Sequence, residues 1–385
     1  MGDCLRNSIH VTRCQEYDIK VIKNQLIEHL DLYPKFKDLN GKKVLIKVNL
    51  LSATSPEKMV TTHPAFVEAL ITIIHDRGGK AVIGDSPGGL FNESLLKKCY
   101  REAGLEDVAR RTGSELNLNT SSHKEKYHKG GFVKSFNICD YVRDCDLIIA
   151  APKIKTHMFC GLTCASKIMF GAIPGTEKVG YHTRFPDNVD FSKMLLDLTE
   201  ACGVDLFLVD GIIGMEGKGP ARGDPRPVGA IISGTDHFEI DRYVIDMTGL
   251  KPENIPLITV AEDMGFPNLN SKPEITGSGS DLRIDPPFKG STNRSLMRNL
   301  PHTVRRSLIN LTTAKPTIRK KNCVGCGVCR DNCAGDAIKI IHGKARIEYG
   351  KCIRCYCCHE LCPHDAVGLR ERNLLAPLRN LLNGS

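Results

Sequence analysis

The sequence predicts an α/β protein: a layered domain with a largely parallel sheet, followed by a small, cysteine-rich α+β domain. From Asn7 to Gly265, short apolar runs alternate with amphipathic stretches. Further along, nine of the 17 cysteines fall between Cys323 and Cys362. The length of 385 residues exceeds what one compact core usually holds, which also favours more than one domain.

Short, continuous apolar runs predict the strands of the first domain. Strands buried on both faces have this pattern, which is typical of parallel sheets flanked by helices. The predicted strands are Ser8–Val11, Lys43–Val48, Ala81–Gly84, Asp146–Ala151, Asp205–Asp210 and Val228–Ser233.

Apolar residues at helical spacing predict helices between these strands. Gly78 and Gly79 mark the end of one of them. The predicted helices are Asp18–Tyr33, Pro64–Arg77, Phe91–Ala103, one around Leu162–Gly171, Val189–Cys202 and Phe238–Thr248.

Composition divides the chain into four parts. Pro267–Gly290 is rich in Pro, Gly, Ser and Asn, which is typical of a linker or an extended arm. We therefore predict an α/β domain over residues 1–266, a linker and basic arm over 267–318, the cysteine-rich domain over 319–372 and a basic amphipathic tail over 373–385.

The sequence lacks the usual marks of an exported or membrane-spanning protein. Met1–His10 has no basic stretch followed by an apolar one, and no run of about 18 apolar residues occurs. We expect a cytoplasmic protein, in which reducing conditions favour cysteines as metal ligands over disulfides.

The net charge of +9 is concentrated in one segment. Residues 286–330 contain ten Lys or Arg and no Asp or Glu. The rest of the chain is close to balanced, which argues against binding of nucleic acid through a broad basic face. Ser295–Leu311 and Arg372–Leu382 are both basic and apolar. They either pack on the domains with their basic side chains in water, or dock to an acidic redox partner or an anionic membrane surface.

The cysteine-rich domain contains an internal repeat with an offset of 29 residues. Each copy has the spacing C-x2-C-x2-C-x3-C, in which three thiolates converge on one iron–sulfur cubane and the fourth binds the other cluster. Zinc sites use two pairs of ligands and do not need the third cysteine of such a run. This spacing predicts a ferredoxin-like domain with two [4Fe–4S] clusters. The predicted ligands are Cys323, Cys326, Cys329 and Cys362 for one cluster and Cys333, Cys352, Cys355 and Cys358 for the other.

Two positions depart from the usual form of this repeat. Ala334 stands where a proline usually follows the fourth cysteine, as Pro363 does in the second copy. This change should loosen the turn without removing a ligand. Cys357 is a ninth cysteine beside Cys358. We predict that it packs near the second cluster without binding it, with ligand exchange or redox sensing as the alternative.

Polar or glycine-rich segments follow five of the predicted strands. In open α/β sheets, ligands bind at the carboxyl ends of the strands. The five segments together predict a binding site, although each one alone is typical of an ordinary turn. They begin at Asn49, Asp85, Pro152, Asp210 and Gly234.

The segment that starts at Pro152 is the richest in candidate groups. Lys153, Lys155, His157 and Lys167 place three cations and an imidazole within 15 residues. Such groups suit binding of a carboxylate or phosphate and donation of a proton. A solvated basic loop is the alternative interpretation.

Other candidates are less specific. Gly211–Gly229 is predicted to be a long flexible loop that carries Glu216, and it lacks a nucleotide-binding motif. His63 stands at the start of a predicted helix and can join the site. A metal held by His63, His157 or His182 is a further alternative.

Four stretches of the first domain stand out as motifs: KVNLLSATSPEKMVTTHP, AVIGDSPGG, PKIKTHMFCGLTCASKIMFGAIPG and VDGIIGMEGKGPARGDPRP. In these stretches the chain resembles the uncharacterised family catalogued as domain of unknown function 362. The resemblance spans roughly residues 8–265 and implies a family rather than a reaction. Members often carry a C-terminal two-cluster ferredoxin domain of the bacterial type. The family's recurring positions fall on Lys47, Asn49, His63, Asp85, Lys153, Lys155, His157, Lys167, Asp210, Glu216 and Asp236.

Together these features predict an iron–sulfur oxidoreductase. A soluble donor of the ferredoxin or flavodoxin type would supply low-potential electrons, and an anionic substrate or partner at the α/β domain would accept them. Clusters ligated only by cysteine suggest the low end of the potential range, hence reductive chemistry in an anaerobe. The predicted catalytic residues are Lys153, Lys155, His157 and Lys167, and the predicted substrate-binding residues are Lys47, Asn49, His63, Asp85, Asp210, Glu216 and Asp236.

Two other functions fit the same sequence. The chain could be an electron-transfer partner without a substrate site of its own, with the basic segment over residues 286–330 as its docking element. It could also be a non-redox α/β enzyme that acts on a phosphorylated or carboxylated substrate, with clusters that serve structure or regulation.

Overall fold

A computed structural model describes residues 8–129, 131–265, 273–290 and 313–370. The first domain has three layers, in which one mixed, largely parallel sheet lies between two layers of helices. The predicted α/β class of this domain is therefore confirmed.

The described strands form a ten-stranded sheet and three two-stranded sheets. In chain order they are β1 Ser8–Arg13, β2 Lys43–Val48, β3 Lys80–Gly84, β4 Glu115–Leu116, β5 Ser122–Lys126, β6 Ser135–Cys139, β7 Leu147–Ala151, β8 Lys153–His157, β9 Gly161–Thr163, β10 Leu206–Glu216, β11 Asp224–Gly234, β12 Glu274–Thr276, β13 Lys315–Ile318, β14 Ile338–Ile341, β15 Lys344–Ile347 and β16 Val367–Arg370.

The described helices are short to medium in length, and none of them is both long and apolar enough to cross a bilayer. They are α1 Ile19–Asp31, α2 Pro64–Asp76, α3 Glu93–Glu102, α4 Leu105–Thr112, α5 Ala165–Ile168, α6 Lys178–Arg184, α7 Asn188–Cys202, α8 His237–Thr248, α9 Pro256–Asp263, α10 Val328–Asp331 and α11 Cys357–Glu360.

Strand direction decides which loops can meet. β10, β7, β2, β3 and β4 are neighbours in that order and run parallel. β11 runs antiparallel to both β10 and β1, and β12 pairs in parallel with the outer side of β1. The carboxyl ends of β2, β3 and β7 therefore share one edge of the sheet, whereas β11 ends at the opposite edge.

Alternate side chains of the central strands enter two separate hydrophobic cores. Val44 and Ile46 of β2 pack with residues of α1 to α4, whereas Leu45 between them packs with residues of α7 to α9. This period of two places apolar side chains on both faces of each buried strand, which explains the continuous apolar runs in the sequence.

Two segments that the sequence analysis treats as loops are strands. The prediction of a flexible loop over Gly211–Gly229 is wrong, because β10 and β11 extend into it as an antiparallel hairpin. The residues just after Pro152 form β8, which pairs with β10 and β9. The helix predicted around Leu162–Gly171 is also reduced, to the end of β9, α5 and a 3-10 turn.

The described part of the predicted linker, residues 273–290, packs on the first domain. β12 pairs with β1, and the side chain of Phe288 is buried. The backbone N–H of Phe288 donates to the carbonyl oxygen of Thr248 at 2.9 Å. The two basic segments, Ser295–Leu311 and Arg372–Leu382, lie outside the described residues.

The cysteine-rich domain repeats its backbone as well as its cysteines. α10 and α11 are four-residue helices 29 positions apart, and β14 and β16 are separated by the same offset. Asp336 and Asp365, equivalent in the two copies, both adopt positive φ, at 47° and 48°. The sequence repeat is therefore a structural duplication.

The cap of α8 gives a first testable prediction. The Asp236 carboxylate accepts hydrogen bonds from the backbone N–H of Phe238 at 2.8 Å and of Glu239 at 3.0 Å. Asp236→Ala should lower the free energy of unfolding by about 1 kcal/mol, the usual cost of a lost helix cap. Urea denaturation measures this change, with Thr235→Ala as the neighbouring control. Unchanged stability of the Asp236 variant would contradict the capping role.

Candidate functional site

A half-open cavity of about 800 Å³, a volume that includes its open mouth, lies between the α/β domain and the cysteine-rich domain. One wall comes from the carboxyl-end edge of the sheet, from β8 and from α5 and α6. The other wall comes from the cysteine-rich domain. Five of the residues predicted from sequence line this cavity: Asn49, Asp85, Lys155, His157 and Lys167.

The β10–β11 hairpin fastens the cysteine-rich domain over this edge. Arg222, in the turn of the hairpin, donates from Nε to the carbonyl oxygen of His359 at 2.9 Å. Its other nitrogens donate to the carbonyl oxygen of Cys362 and to the Asp365 carboxylate. A second contact runs from the Thr183 hydroxyl to the carbonyl oxygen of Ala334, at 2.7 Å. The hairpin that sequence analysis misses is thus what closes the cavity.

Three lysines bring positive charge to the cavity without a carboxylate partner among the described residues. Lys155 Nζ donates to the carbonyl oxygen of Val60 at 2.7 Å. Lys178 Nζ contacts the carbonyl and hydroxyl oxygens of Ser86. Lys167 Nζ makes no hydrogen bond or ion pair in the described part of the chain, and lies 5.4 Å from the centre of the Phe170 ring. The cavity therefore has unbalanced cationic charge, which suits an anionic ligand.

Three buried polar atoms of the cavity residues have no hydrogen-bond partner within the described structure. They are His157 Nε2, His182 Nδ1 and Thr163 Oγ1. His157 Nδ1 accepts from the backbone N–H groups of Phe159 and Cys160, at 3.0 and 3.2 Å. A neutral His157 must then carry its proton on Nε2, which lies 3.6 Å from the Glu360 carboxylate. Unsatisfied buried polar atoms are costly, so these three point to a polar ligand.

Burial changes the charge state of the cavity groups. Burial, together with the nearby positive charges of Lys167 and Lys153, lowers the pKa of Lys155 to about 7. Burial also lowers the pKa of Lys178 to about 8 and that of His182 to about 3, and holds the pKa of His157 well below its usual range. Both imidazoles are therefore uncharged at neutral pH, and the lysines carry the positive charge.

A buried ion pair shapes the sheet edge of the cavity. Lys47 Nζ lies 2.9 Å from Asp85 Oδ1, and both side chains are buried. The Asp85 carboxylate also accepts from the backbone N–H of Leu50 at 2.5 Å and of Ser86 at 2.7 Å. A Cβ atom on Gly171 would lie 1.9 Å from Asp85 Oδ1, so only glycine fits there. These bonds fix the loops after β2 and β3, and Lys47 acts through Asp85 rather than by lining the cavity.

Lys153, Asp210 and His63 lie in a separate cluster with Tyr17, outside the lining of the cavity. Lys153 Nζ pairs with Asp210 Oδ2 at 3.0 Å, and both side chains are fully buried. Tyr17 donates to Asp210 Oδ1 at 2.8 Å, and its ring stacks on that of His63 at 3.6 Å. The backbone N–H of His63 donates to Asp210 Oδ2 at 2.9 Å. The polar groups of this cluster satisfy one another, which is the arrangement of a structural network.

Glu216 and Asp236 also lie outside the cavity lining. Glu216 accepts from the backbone N–H of Lys289 at 3.0 Å, so it holds the chain after β12. Asp236 caps α8 at the opposite edge of the sheet, because β11 is antiparallel to the central strands. The sequence analysis expects Asp236 at the same sheet edge as Asn49 and Asp85 because it assumes that all the strands are parallel. Since β11 is antiparallel, Asp236 lies at the opposite edge.

The predicted cluster ligands fall into two groups, each around its own cavity of about 330 Å³. Apart from its cysteines, the wall of the first of these cavities is largely apolar and includes Ile340 and Val367, with His364 as its one titratable neighbour among the described lining residues. The first cavity is lined by Cys323, Cys326, Cys329 and Cys362, and the second by Cys333, Cys352, Cys355 and Cys358. These are the two sets that the sequence repeat predicts, with Cys333 and Cys362 exchanged between the copies.

Backbone amides point at the sulfurs in a repeated pattern. The N–H of Ala337 lies 3.1 Å from Cys333 Sγ, and the N–H of its repeat equivalent Ala366 lies 3.3 Å from Cys362 Sγ. Such donors stabilise thiolates that bind an iron–sulfur cluster. Within the described residues, no three His, Cys, Asp or Glu side chains converge as the ligands of a single ion would.

Several cavity residues are not predicted from sequence as site residues. They are Thr163, Lys178, Asn332, Cys357 and Glu360, which join His182 of the sequence analysis. Three of them belong to the cysteine-rich domain. Asn332 and Glu360 belong to no sequence motif, because their place in the cavity depends on how the two domains pack together. Cys357 could be singled out from sequence only as the ninth, unassigned cysteine.

Comparison with known proteins gives one family match and one named relative. Residues 44–246 match the family described as Domain of unknown function (DUF362). The thylakoid-associated protein sll1697 of Synechocystis sp. (strain ATCC 27184 / PCC 6803 / Kazusa) is 30% identical over 232 residues, which cover 59% of this chain and 69% of that protein.

Two solved structures share weaker similarity. The lactate racemase apoprotein from Thermoanaerobacterium thermosaccharolyticum aligns with 62% of this chain and 56% of its own, at 14% identity and a TM-score of 0.37. A structural-genomics target from Thermotoga maritima aligns with 56% of this chain and 55% of its own, at 12% identity and a TM-score of 0.33. The chain thus spans little more than half of each.

The buried ion pair outside the cavity gives a second prediction. Asp210→Ala leaves the fully buried Lys153 without its carboxylate, which should lower the free energy of unfolding by about 3–5 kcal/mol. The double variant Lys153→Met, Asp210→Leu removes both charges and should recover most of that loss. Guanidinium denaturation compares the two. A double variant no more stable than Asp210→Ala would contradict this account.

The lowered pKa of Lys155 gives a third prediction, on anion binding. Lys155 is charged below its pKa of about 7 and neutral above it. Glu360, whose pKa burial raises to about 7, gains negative charge over the same range. Sulfate keeps its charge between about pH 6 and about pH 9, so its affinity should fall about tenfold or more across that interval as a charge-assisted hydrogen bond is lost.

Isothermal titration calorimetry with sulfate measures this fall. Lys155→Met should bind sulfate weakly at both pH values and show a smaller pH dependence. Lys80→Met, at the opposite edge of the sheet, is the matched control and should behave like the unsubstituted chain. Equal affinity of the unsubstituted chain at both pH values would show that Lys155 does not hold the anion.

Proposed function

The chain belongs to the DUF362 family, whose description names no reaction, and we propose that it is an iron–sulfur oxidoreductase that reduces an anionic substrate in the cavity between its two domains. The C-terminal domain would be of the two-cluster ferredoxin type. A soluble one-electron donor would supply the electrons, and the protein would be cytoplasmic.

The position of the cavity carries this proposal. Asn332 lines both the interdomain cavity and the cavity of the second cysteine set. Cys357 lines the interdomain cavity, and its neighbour Cys358 belongs to the second set. Cys355, Cys357 and Ala334 pack together against Val179 of α6. A ligand in the interdomain cavity would therefore lie beside the second cysteine set.

The cysteine sets suit [4Fe–4S] clusters, which supply single electrons when bound. The remaining tasks fall to side chains of the chain itself. Lys155, Lys167 and Lys178 would hold the anionic group. Thr163 and the Nε2–H of His157 would orient it through the hydrogen bonds that these buried atoms otherwise lack. A bound substrate would take up two electrons in successive steps, with protons supplied through polar groups of the cavity wall.

An electron-transfer partner without its own substrate site has weaker support. Such a protein would not need a cationic cavity beside a cysteine set, and the three buried polar atoms without a partner in the described structure favour a polar ligand there. A non-redox enzyme would not need the cavity to lie beside a cysteine set. Both alternatives remain testable with the experiments below.

Metal content gives the fourth prediction. Anaerobically purified protein should contain about eight iron atoms per chain, and dithionite should produce two interacting electron paramagnetic resonance signals from two reduced cubanes. Cys326→Ala and Cys355→Ala should each perturb a different signal, because they belong to different sets. Two zinc ions in place of iron would overturn the proposal.

The same preparation separates the proposed oxidoreductase from an electron-transfer partner without a substrate site. Lys167→Met should leave iron content and both signals intact while it abolishes the shift that bound sulfate causes in the signal of the second set. Lys80→Met is the control for a lost lysine charge. If sulfate leaves the signals of the unsubstituted protein unchanged, the anion does not bind beside a cluster, and the electron-transfer-partner alternative is favoured.

A further inference from the structure

The two cysteine sets differ in their exposure to solvent. In the first set, Cys326 is exposed, and the neighbouring Val324 has 60% of its surface exposed. Each set has two buried cysteines, but no member of the second set is exposed, and residues adjacent to the second set pack on the α/β domain. The first set is therefore accessible from outside, and the second faces the interdomain cavity.

A basic rim surrounds the accessible set. Lys320 and Lys321 precede Cys323 in a turn in which the N–H of Cys323 donates to the carbonyl oxygen of Arg319 at 3.1 Å. Both lysines are exposed and form no ion pair with the described residues. Lys344 Nζ reaches the carbonyl oxygen of Cys323 from the β14–β15 turn, and the Lys344 side chain is exposed.

The nearby carboxylates do not offset this charge. Asp365 is paired with Arg222 and Arg319, and Asp331 is paired with Arg330. The rim thus presents uncompensated positive charge around an apolar centre at Val324. This is the composition of a surface that recognises an acidic protein, because charges at the rim steer association while the centre is desolvated.

We propose that this face, defined by Lys320, Lys321, Val324, Cys326 and Lys344 and named the donor face, docks an acidic protein that delivers single electrons to the first cysteine set. The inference rests on the proposed function, because it requires the cysteine sets to hold redox clusters. One electron leaves the reduced donor and enters the oxidised cluster of the first set, with no bond made or broken.

The test uses the loaded full-length chain and an acidic plant-type [2Fe–2S] ferredoxin as the probe. Lys320→Glu, Lys321→Glu reverses two rim charges. The matched control Lys37→Glu, Lys80→Glu reverses two exposed lysines at the amino-end edge of the sheet. Calorimetry gives the Kd for ferredoxin, and stopped-flow absorbance gives the second-order rate of cluster reduction by reduced ferredoxin.

At low ionic strength, the rim variant should bind ferredoxin about tenfold or more weakly and be reduced about tenfold or more slowly than the unsubstituted chain. The difference should shrink as salt screens the rim. The control variant should match the unsubstituted chain in both measurements. A basic cytochrome should show the opposite preference and bind the rim variant more tightly.

Three results would overturn the donor face. The first is equal binding and equal reduction rates for the rim and control variants. The second is the absence of salt-dependent ferredoxin binding by the loaded unsubstituted chain. The third is rim-dependent binding to phosphatidylserine vesicles with unchanged ferredoxin binding, which would identify a membrane surface instead. Iron content and the reduced signals, measured on every variant, separate these results from failure of the proposed function, in which the unsubstituted chain itself holds no iron.

Discussion

The buried pair of Lys47 and Asp85 organises the site. A lysine at the carboxyl end of a central strand needs a close anion, and Asp85 at the end of the neighbouring strand provides it at 2.9 Å. The same carboxylate receives the backbone N–H groups of Leu50 and Ser86, and Lys47 donates to the carbonyl oxygen of Ile168. One ion pair thus ties together the loops after β2 and β3 and the turn after α5, which together form the sheet side of the interdomain cavity.

The positive charge of that cavity follows from the fact that Asp85 is already occupied by Lys47. Asp85 is committed to Lys47 and two amides, so it leaves Lys155, Lys167 and Lys178 without a carboxylate in contact among the described residues. Burial then makes Lys155 and Lys178 easier to deprotonate and keeps the imidazole of His157 neutral. In the proposed function, the lysines of the cavity would bind the charge of the ligand and the neutral donors would orient it, whereas the sequence predicts a single Lys/His cluster for both roles.

Sequence alone identifies the central strands and the two cysteine sets because their signals are local. The run at Lys43–Val48 is buried on both faces, and the repeat spacing itself assigns Cys333 and Cys362 to opposite sets. The hairpin of β10 and β11 cannot be predicted from the sequence, because its glycines and prolines are typical of a loop. The direction of a strand also cannot be predicted from its composition. That direction removes Asp236 from the site, and the hairpin positions the domain that brings Glu360 into it.

The cavity is shared between two domains, and this would have a consequence for a chain without the proposed clusters. Small cysteine-rich domains gain much of their folding free energy from their metals. Without that contribution, the wall from Asn332 to Leu361 would be lost, and the lysines would face open water on the surface of the α/β domain. A chain without clusters would then present a basic surface in place of a cavity between two domains. Assembly of the clusters would thus control ligand binding as well as electron transfer. A chain without clusters could neither reduce the ligand nor bind it tightly.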